Sequence, residues 1–153
     1  MHKPITVLMP VFNCESFLEN SIESILNQTF EDFEFLIIND GSTDKSEEII
    51  KSYSDNRIKY IKNDKNISLS KTLKKGVMLA QSNLIARMDA DDISLKNRFQ
   101  IQLNYLLDNP EIGMVSSCYD EINESGKVIR ENIPFETEPP IIHWRLFFEN
   151  PIP

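Results

Sequence analysis

Short β-rich runs alternate with stretches whose apolar residues recur at helical spacing, and this alternation limits the fold more than any single motif does. Ile5–Met9 is a β-rich run closed by Pro10, and Phe17, Leu18, Ile22, Ile25 and Leu26 then recur as on one helix face. Phe33–Ile38 predicts a second strand, ending in Asn39-Asp40-Gly41-Ser42-Thr43-Asp44, residue types that favour tight turns and helix N-caps. A helix over 44–53, a strand over Arg57–Lys62 and a helix marked by Leu69, Leu73 and Val77 follow. Asn83–Met88 predicts a fourth strand. Leu95, Phe99, Leu103, Leu106 and Leu107 predict a helix that Asn109-Pro110 ends, and Gly113–Cys118 predicts a further strand before a hairpin turn at 123–126. Strands alternating with helices imply an α/β chain, a Rossmann-like, doubly wound, mostly parallel sheet flanked by helices.

With 153 residues, 41% hydrophobic and 26% charged, the chain suits a single globular domain over 1–153 rather than a disordered segment. The net charge of −8 disfavours nucleic acid as a partner, because a polyanion needs a basic surface to displace its counterions. Charge is also segregated. Glu15 to Glu48 holds ten acids and one Lys, whereas 57–75 holds seven Lys or Arg and one Asp, a pattern read first as solvated helix faces. No apolar run is long enough for a transmembrane segment, and the first residues do not form a signal peptide. A soluble, cytoplasmic protein is expected, with a peripheral seat at the inner face of the membrane as a further expectation. Cys14 and Cys118 are too far apart for a CxxC pair, so free thiols are expected. His2 and His143 read as a solvated and a packing residue. Trp144, Phe147 and Phe148 read as core or as a surface that forms a homodimer.

In a doubly wound sheet, ligands bind beyond the carboxyl ends of the strands, near the switch in strand order. Pro10–Asn13, Asn39–Asp44 and Asp89–Asp92 all fall at such ends. The run Ala86-Arg87-Met88-Asp89-Ala90-Asp91-Asp92-Ile93-Ser94 sets three carboxylates in four positions, where like charges raise one another's pKa unless a cation or donors compensate. Hard oxygen ligands on a strand-end turn suit Mg²⁺ or Mn²⁺ shared with substrate phosphates. The competing reading is that Asp91 or Asp92 caps the helix beginning near Ser94. Asp40 either braces its turn or accepts a hydrogen bond from a ligand N–H such as the N3–H of uracil. Arg87 pairs with the neighbouring carboxylates or with a diphosphate, and Lys71, Lys74 and Lys75 either reach phosphate or form a solvated face. Neither a GxGxxG fingerprint after the first strand nor a phosphate-binding GxxxxGK[ST] loop is present, which disfavours a dinucleotide site and an acid-rich phosphotransferase.

The runs "VLMPVFNCESFLENSIESILNQTFEDFEFLIINDGSTD" and "NISLSKTLKKGVMLAQSNLIARMDADDISLKNRF" resemble the nucleotide-binding half of family-2 glycosyltransferases with the GT-A fold, over roughly residues 4 to 126. The resemblance implies a metal-dependent, inverting transfer of a sugar from a nucleotide-sugar donor, a UDP-sugar, to a saccharide or lipid-linked acceptor. It implies a nucleotide site lined by Pro10, Val11, Asn13, Glu15, Asp40, Asn66, Arg87, Asp89 and Ala90. Asp89-Ala90-Asp91 corresponds to the Asp-x-Asp motif, with Asp91, Asp89 and Asp92 as ligands of Mn²⁺ or Mg²⁺. Where the family commonly has Asn-x-Gly-Leu and Leu-Asn-x-Gly, this chain has Asn66-Ile67-Ser68-Leu69 and Leu73-Lys74-Lys75-Gly76. The family's catalytic base comes from the acceptor-binding half, so it is expected beyond residue 153, and nothing singles out Glu121, Glu124 or Glu131. The chain is thus expected to be a truncated part carrying the donor site. A nucleotide-sugar-binding module without catalysis is the alternative.

Overall fold

The structure, a computed structural model, describes residues 3–134. The chain divides into two compact units, Met1–Ile101 and Gln102–Pro153. In the first unit, β1 (Ile5–Val11), α1 (Leu18–Leu26), β2 (Phe33–Asn39), α2 (Ser46–Ser52), β3 (Ile58–Lys62), α3 (Leu69–Leu79) and β4 (Ile85–Arg87) alternate in the expected order, and α4 (Arg98–Asp108) follows. All strand pairs of this sheet are parallel, in the order β3-β2-β1-β4. Chain order therefore runs outward from β1 through β2 to β3 on one side and resumes with β4 on the other. The switch point lies at β1.

Every residue of β1 and β2 is buried. A strand buried on both faces reads as a mostly apolar run instead of an alternating one, as Ile5–Met9 and Phe33–Ile38 do. The two polar residues in these runs meet each other, Thr6 Oγ1 donating to Glu34 Oε2 at 2.8 Å. On one face Leu8, Leu36 and Ile38 form a cluster against which Ile61 of β3 and Leu73 of α3 pack. On the other, Phe33 meets Phe99 edge to face, with ring centroids 5.6 Å apart. Each such fully buried side chain contributes about 1.5–3 kcal/mol by leaving water. Helix α1 turns Leu18, Ser21, Ile22 and Ile25 inward, a stripe at helical spacing.

Three expectations differ from what is observed, the first being that α4 begins at Arg98 and not near Ser94, so neither Asp91 nor Asp92 stands at its amino end as a cap. The fourth strand spans three residues rather than 83–88, because Ser82 is spent on the turn before it: its hydroxyl donates to the Pro4 carbonyl (2.6 Å) and accepts from the Leu84 N–H (3.1 Å). The predicted strand over 113–118 is absent, and the next strand is β5 (Tyr119–Ile122), paired antiparallel with β6 (Val128–Ile133). Residues 113–118 join no ladder among the described residues, and β-propensity without a partner strand does not make a strand. The hairpin turn is as expected, with Asn123 Oδ1 accepting from the N–H groups of Ser125 and Lys127. Among the described residues no helix is long and apolar enough to cross a membrane. His2, His143, Trp144, Phe147 and Phe148, and with the last three the homodimer expectation, lie outside the described residues.

Candidate functional site

Three loops leave the carboxyl ends of β1, β2 and β4, and a fourth leads from β3 into α3. The ladder persists to the strand ends, where Asp40 N–H donates to the Val11 carbonyl (2.7 Å) and Asn63 N–H to that of Asn39 (2.8 Å). Gly41 then turns the chain at φ 74°, and a Cβ there would lie 2.6 Å from the Lys65 carbonyl carbon, so only glycine lets the β3–α3 loop approach this closely. That approach sets the loop against Asp40, whose Oδ1 accepts from Asn63 Nδ2 (2.7 Å) and from the Ile67 N–H (3.0 Å). Burial alone raises the pKa of Asp40, but the Asn63 amide, the Ile67 N–H, the Thr72 hydroxyl and the Ser68 N–H outweigh it and hold the carboxyl below the usual carboxylate range. Asp40 is thus an anion at neutral pH although only 3% exposed. It forms a wall of a cavity of ≈ 140 Å³ shared with Pro10, Val11, Phe12, Asn66, Leu69 and Thr72.

Of the expected nucleotide residues, Pro10, Val11, Asp40 and Asn66 share this cavity. Asn13 and Glu15 instead join two loops. Asn13 Oδ1 accepts from the Thr43 N–H (2.8 Å) and Glu15 Oε2 from the Lys45 N–H (2.8 Å), while Asp44 Oδ2 returns the bond from the Glu15 N–H (3.0 Å). The side chains of Asn13 and Glu15 hold the walls together and do not line the cavity.

The acidic run leaves β4. Arg87 clasps Asp89 with two hydrogen bonds, Nε to Oδ1 at 3.0 Å and a terminal nitrogen to Oδ2 at 2.7 Å. Ala90 is buried, and its carbonyl and that of Asp92 lie 2.8 Å and 2.7 Å from the Ser21 hydroxyl and share its one proton. Burial and the charges of Asp91 and Asp89 push the Asp92 carboxyl up, against the pull of Arg98 and Arg87. Burial, Asp91, Asp44 and Asp89 likewise raise the Cys14 thiol, against the Phe12 carbonyl. Among the described residues no group of three or more His, Cys, Asp or Glu side chains is arranged to hold an ion.

Several residues that position this site escaped sequence reasoning. Ser24 accepts from the Ser94 N–H (3.0 Å), and buried Gln28 donates to the Leu95 carbonyl (2.8 Å) and accepts from the Phe99 N–H (3.2 Å). With Ser21 they tie α1 to the loop carrying the carboxylates. Their signal is polar residues at helical spacing on the same side as an apolar stripe. Asn63 and Thr72 support Asp40, and Phe12 and Leu69 line the cavity.

The sequence matches the profile described as Glycosyl transferase family 2 over residues 6–151. The chain belongs to this family. It is 41% identical over 139 residues to "Uncharacterized glycosyltransferase MJ1057" of Methanocaldococcus jannaschii, covering 88% of this chain and 48% of that protein. It is 39% identical over 130 residues to "O-antigen biosynthesis glycosyltransferase WbnJ" of Escherichia coli, covering 83% and 50%. The family-2 chain thus spans about half the length of these curated relatives. Among solved structures it resembles Staphylococcus aureus TarS in complex with UDP-GlcNAc (TM-score 0.66, 20% identity, 79% of this chain and 39% of that one). It also resembles mannosyltransferase PcManGT of Pyrobaculum calidifontis in complex with GDP-Man and Mn²⁺ (TM-score 0.68, 18% identity, 79% and 36%). These likenesses establish the GT-A fold for the chain.

Proposed function

We propose that the chain is the donor-binding part of a metal-dependent, inverting glycosyltransferase that takes a nucleotide-sugar, a UDP-sugar, and passes the sugar to a saccharide or lipid-linked acceptor. The observation that carries this reading is the anionic carboxylate of Asp40 set in the wall of a cavity at the switch point of the sheet. A buried carboxylate that accepts from a ring N–H orients a base, and Phe12, Val11 and Leu69 supply apolar contact for its faces. The names of relatives lend support: WbnJ is named for O-antigen biosynthesis, and the two structural neighbours hold nucleotide-sugars.

The donor set fits an ion that takes few protein ligands. Mg²⁺ and Mn²⁺ accept one or two carboxylates and complete their shell with water and phosphate. The Asp92 carboxyl, raised first by burial and then by the charges of Asp91 and Asp89, stands among acids that Arg98 and Arg87 offset only in part. Asp91 and Asp92 would hold the ion, and Asp89, clasped by Arg87, adds charge beside it or exchanges that partner for the ion. When bound, the ion offsets charge on the departing nucleoside diphosphate. Asp40 orients the base, and the tie of Ser21 to Ala90 and Asp92 fixes the backbone carrying the carboxylates. The base that takes the acceptor's proton lies, in this reading, in the part of the longer relatives that this chain does not match.

Calorimetric titration of UDP, GDP and UDP-sugars with and without Mn²⁺ tests the reading. Metal-dependent UDP binding is expected, abolished by Asp91→Ala and weakened about tenfold or more by Asp40→Asn, which turns a charge-assisted acceptor into a neutral amide. Failure of every nucleotide to bind, with metal and without, overturns it.

A further inference from the structure

Asp40 is held by a chain of contacts that ends at a lysine outside the cavity lining. Lys75 Nζ donates to Asn63 Oδ1 at 2.6 Å, and Asn63 Nδ2 donates to Asp40 Oδ1 at 2.7 Å and to the Thr72 hydroxyl at 3.3 Å. Asn63 is 5% exposed and Thr72 is fully buried. Lys75 lies on α3 at the rim of a second hollow of ≈ 280 Å³, lined also by Lys62, Asp64, Lys65 and Ile67. It therefore neither stands on a solvated face nor points freely toward a phosphate.

An asparagine amide has two orientations that fill the same space, with the oxygen and nitrogen exchanged. With Nδ2 toward Asp40, the amide meets a carboxylate with a donor and an ammonium with an acceptor. Rotated by half a turn, it would set oxygen against carboxylate and N–H against ammonium, both repulsive. An ammonium has only donors and a carboxylate only acceptors, so the two charged groups enforce the same orientation from opposite sides. The consequence reaches the cavity. Oδ1 of Asp40 takes the Asn63 amide and the Ile67 N–H, the Thr72 hydroxyl and the Ser68 N–H also reach the carboxylate, and its remaining acceptor capacity is what a ligand donor would use.

We propose that Lys75, acting through Asn63, is a positioning residue that sets which nucleobases the cavity takes: those presenting a ring N–H donor, as uracil and guanine do, over those presenting a ring acceptor, as cytosine and adenine do. The inference rests on the reading of Asp40 as the base-recognising group and adds what holds that group in its selective state. Lys75→Met removes one of the two constraints and leaves a buried amide oxygen without its partner, so Asn63 and Asp40 lose their fixed geometry.

The test is the affinity of the chain for UDP, GDP, CDP and ADP in Mn²⁺, compared among the wild type, Lys75→Met and Lys75→Arg. Lys75→Met is expected to weaken UDP about tenfold while changing CDP little, so the preference narrows, and Lys75→Arg, which keeps a charged donor, restores it. A parallel loss for UDP and CDP would mark a structural role alone and overturn the inference. A wild-type preference that Lys75→Met leaves intact would overturn it while sparing the base site. No wild-type preference at all would overturn the base-site reading and this inference with it. Should Lys75→Met not fold, Asn63→Asp supplies an independent readout. A carboxyl there fills Asp40 only while protonated, and its pKa is raised by Asp40 and lowered by Lys75, so UDP affinity relative to the wild type at the same pH should fall as pH rises from about 4 to 8. A flat Asn63→Asp profile overturns the proposal.

Discussion

Ser68 carries a backbone that glycine tolerates far better than any other residue. Its φ of 87° and ψ of 149° place it, ahead of the first turn of α3, in a region that costs a residue with a Cβ on the order of 1–3 kcal/mol. The strain has a local cause. The Ser68 N–H donates to Asn66 Oδ1 (3.0 Å) and the preceding Ile67 N–H to Asp40, so the loop must turn sharply between them. Ser68→Gly should therefore raise stability by about 1 kcal/mol, after allowance for the greater entropy of glycine in the unfolded chain. Urea denaturation measures it, and an unchanged or lower midpoint would show that the surroundings relieve the strain. The sequence displays the departure, a serine where the resemblance expects glycine, but not its outcome. Composition cannot say whether the loop straightens to suit the serine or keeps the glycine-like turn.

The packing of α3 on β1 depends on the absence of one methyl group. Gly76 is buried within α3, and a Cβ there would lie 2.3 Å from Leu8 Cδ1 in a core where Leu8 is 1% exposed. Helix propensity favours alanine over glycine by about 1 kcal/mol, whereas overpacking a rigid core costs about 1–3 kcal/mol. Because Leu8 is enclosed by Leu36, Ile38 and Leu73, the second effect should win. Gly76→Ala is expected to lower stability by about 1 kcal/mol, and Leu8→Val in the same chain to make the alanine far less costly. Additive effects in that double-mutant cycle would disprove the contact. Elements of this kind are legible where the pattern is long: the buried runs of β1 and β2 and the stripe of α1 stand close to where periodicity puts them. The pattern misleads at 113–118, where apolar and small residues suit a strand and no ladder forms, and at β4, where Ser82 takes the residues before it into a turn.

Across the molecule, the convergence of three strand-end loops is the part of the site that the sequence carries best, because strand order follows from alternation and the ligand crevice follows from strand order. The supports are less visible, since Asn63, Ser21 and Gln28 act through contacts between residues distant in the chain. Hydrogen-bonded and ion-paired carboxyls give the fold a pH dependence. Two lysines, Lys51 and Lys62, hydrogen-bond Glu47 and hold its carboxyl down at about 2. Asp55 is lowered by Arg57, and Asp44 is lowered against burial by the Ser46 hydroxyl and the N–H groups of Glu15 and Ser46. With Asp40, four carboxyls are thus lowered, while Asp92 alone among the carboxyls with a resolved shift is raised. A carboxyl whose pKa is lower folded than unfolded stabilises the fold above its unfolded value, and that contribution fades as pH falls toward the folded value. Asp92 has the opposite sign and offsets only part. The urea midpoint should therefore fall steadily from about pH 5 to pH 2, and Glu47→Gln should flatten that decline below its unfolded pKa of 4.5 while lowering the midpoint at neutral pH. Parallel wild-type and Glu47→Gln profiles would mean that water screens the Glu47 pairs, as it does many surface ion pairs. The decline would then belong to Asp55, held by Arg57, and to Asp40 and Asp44, whose partners are the backbone and side chains that shape the site.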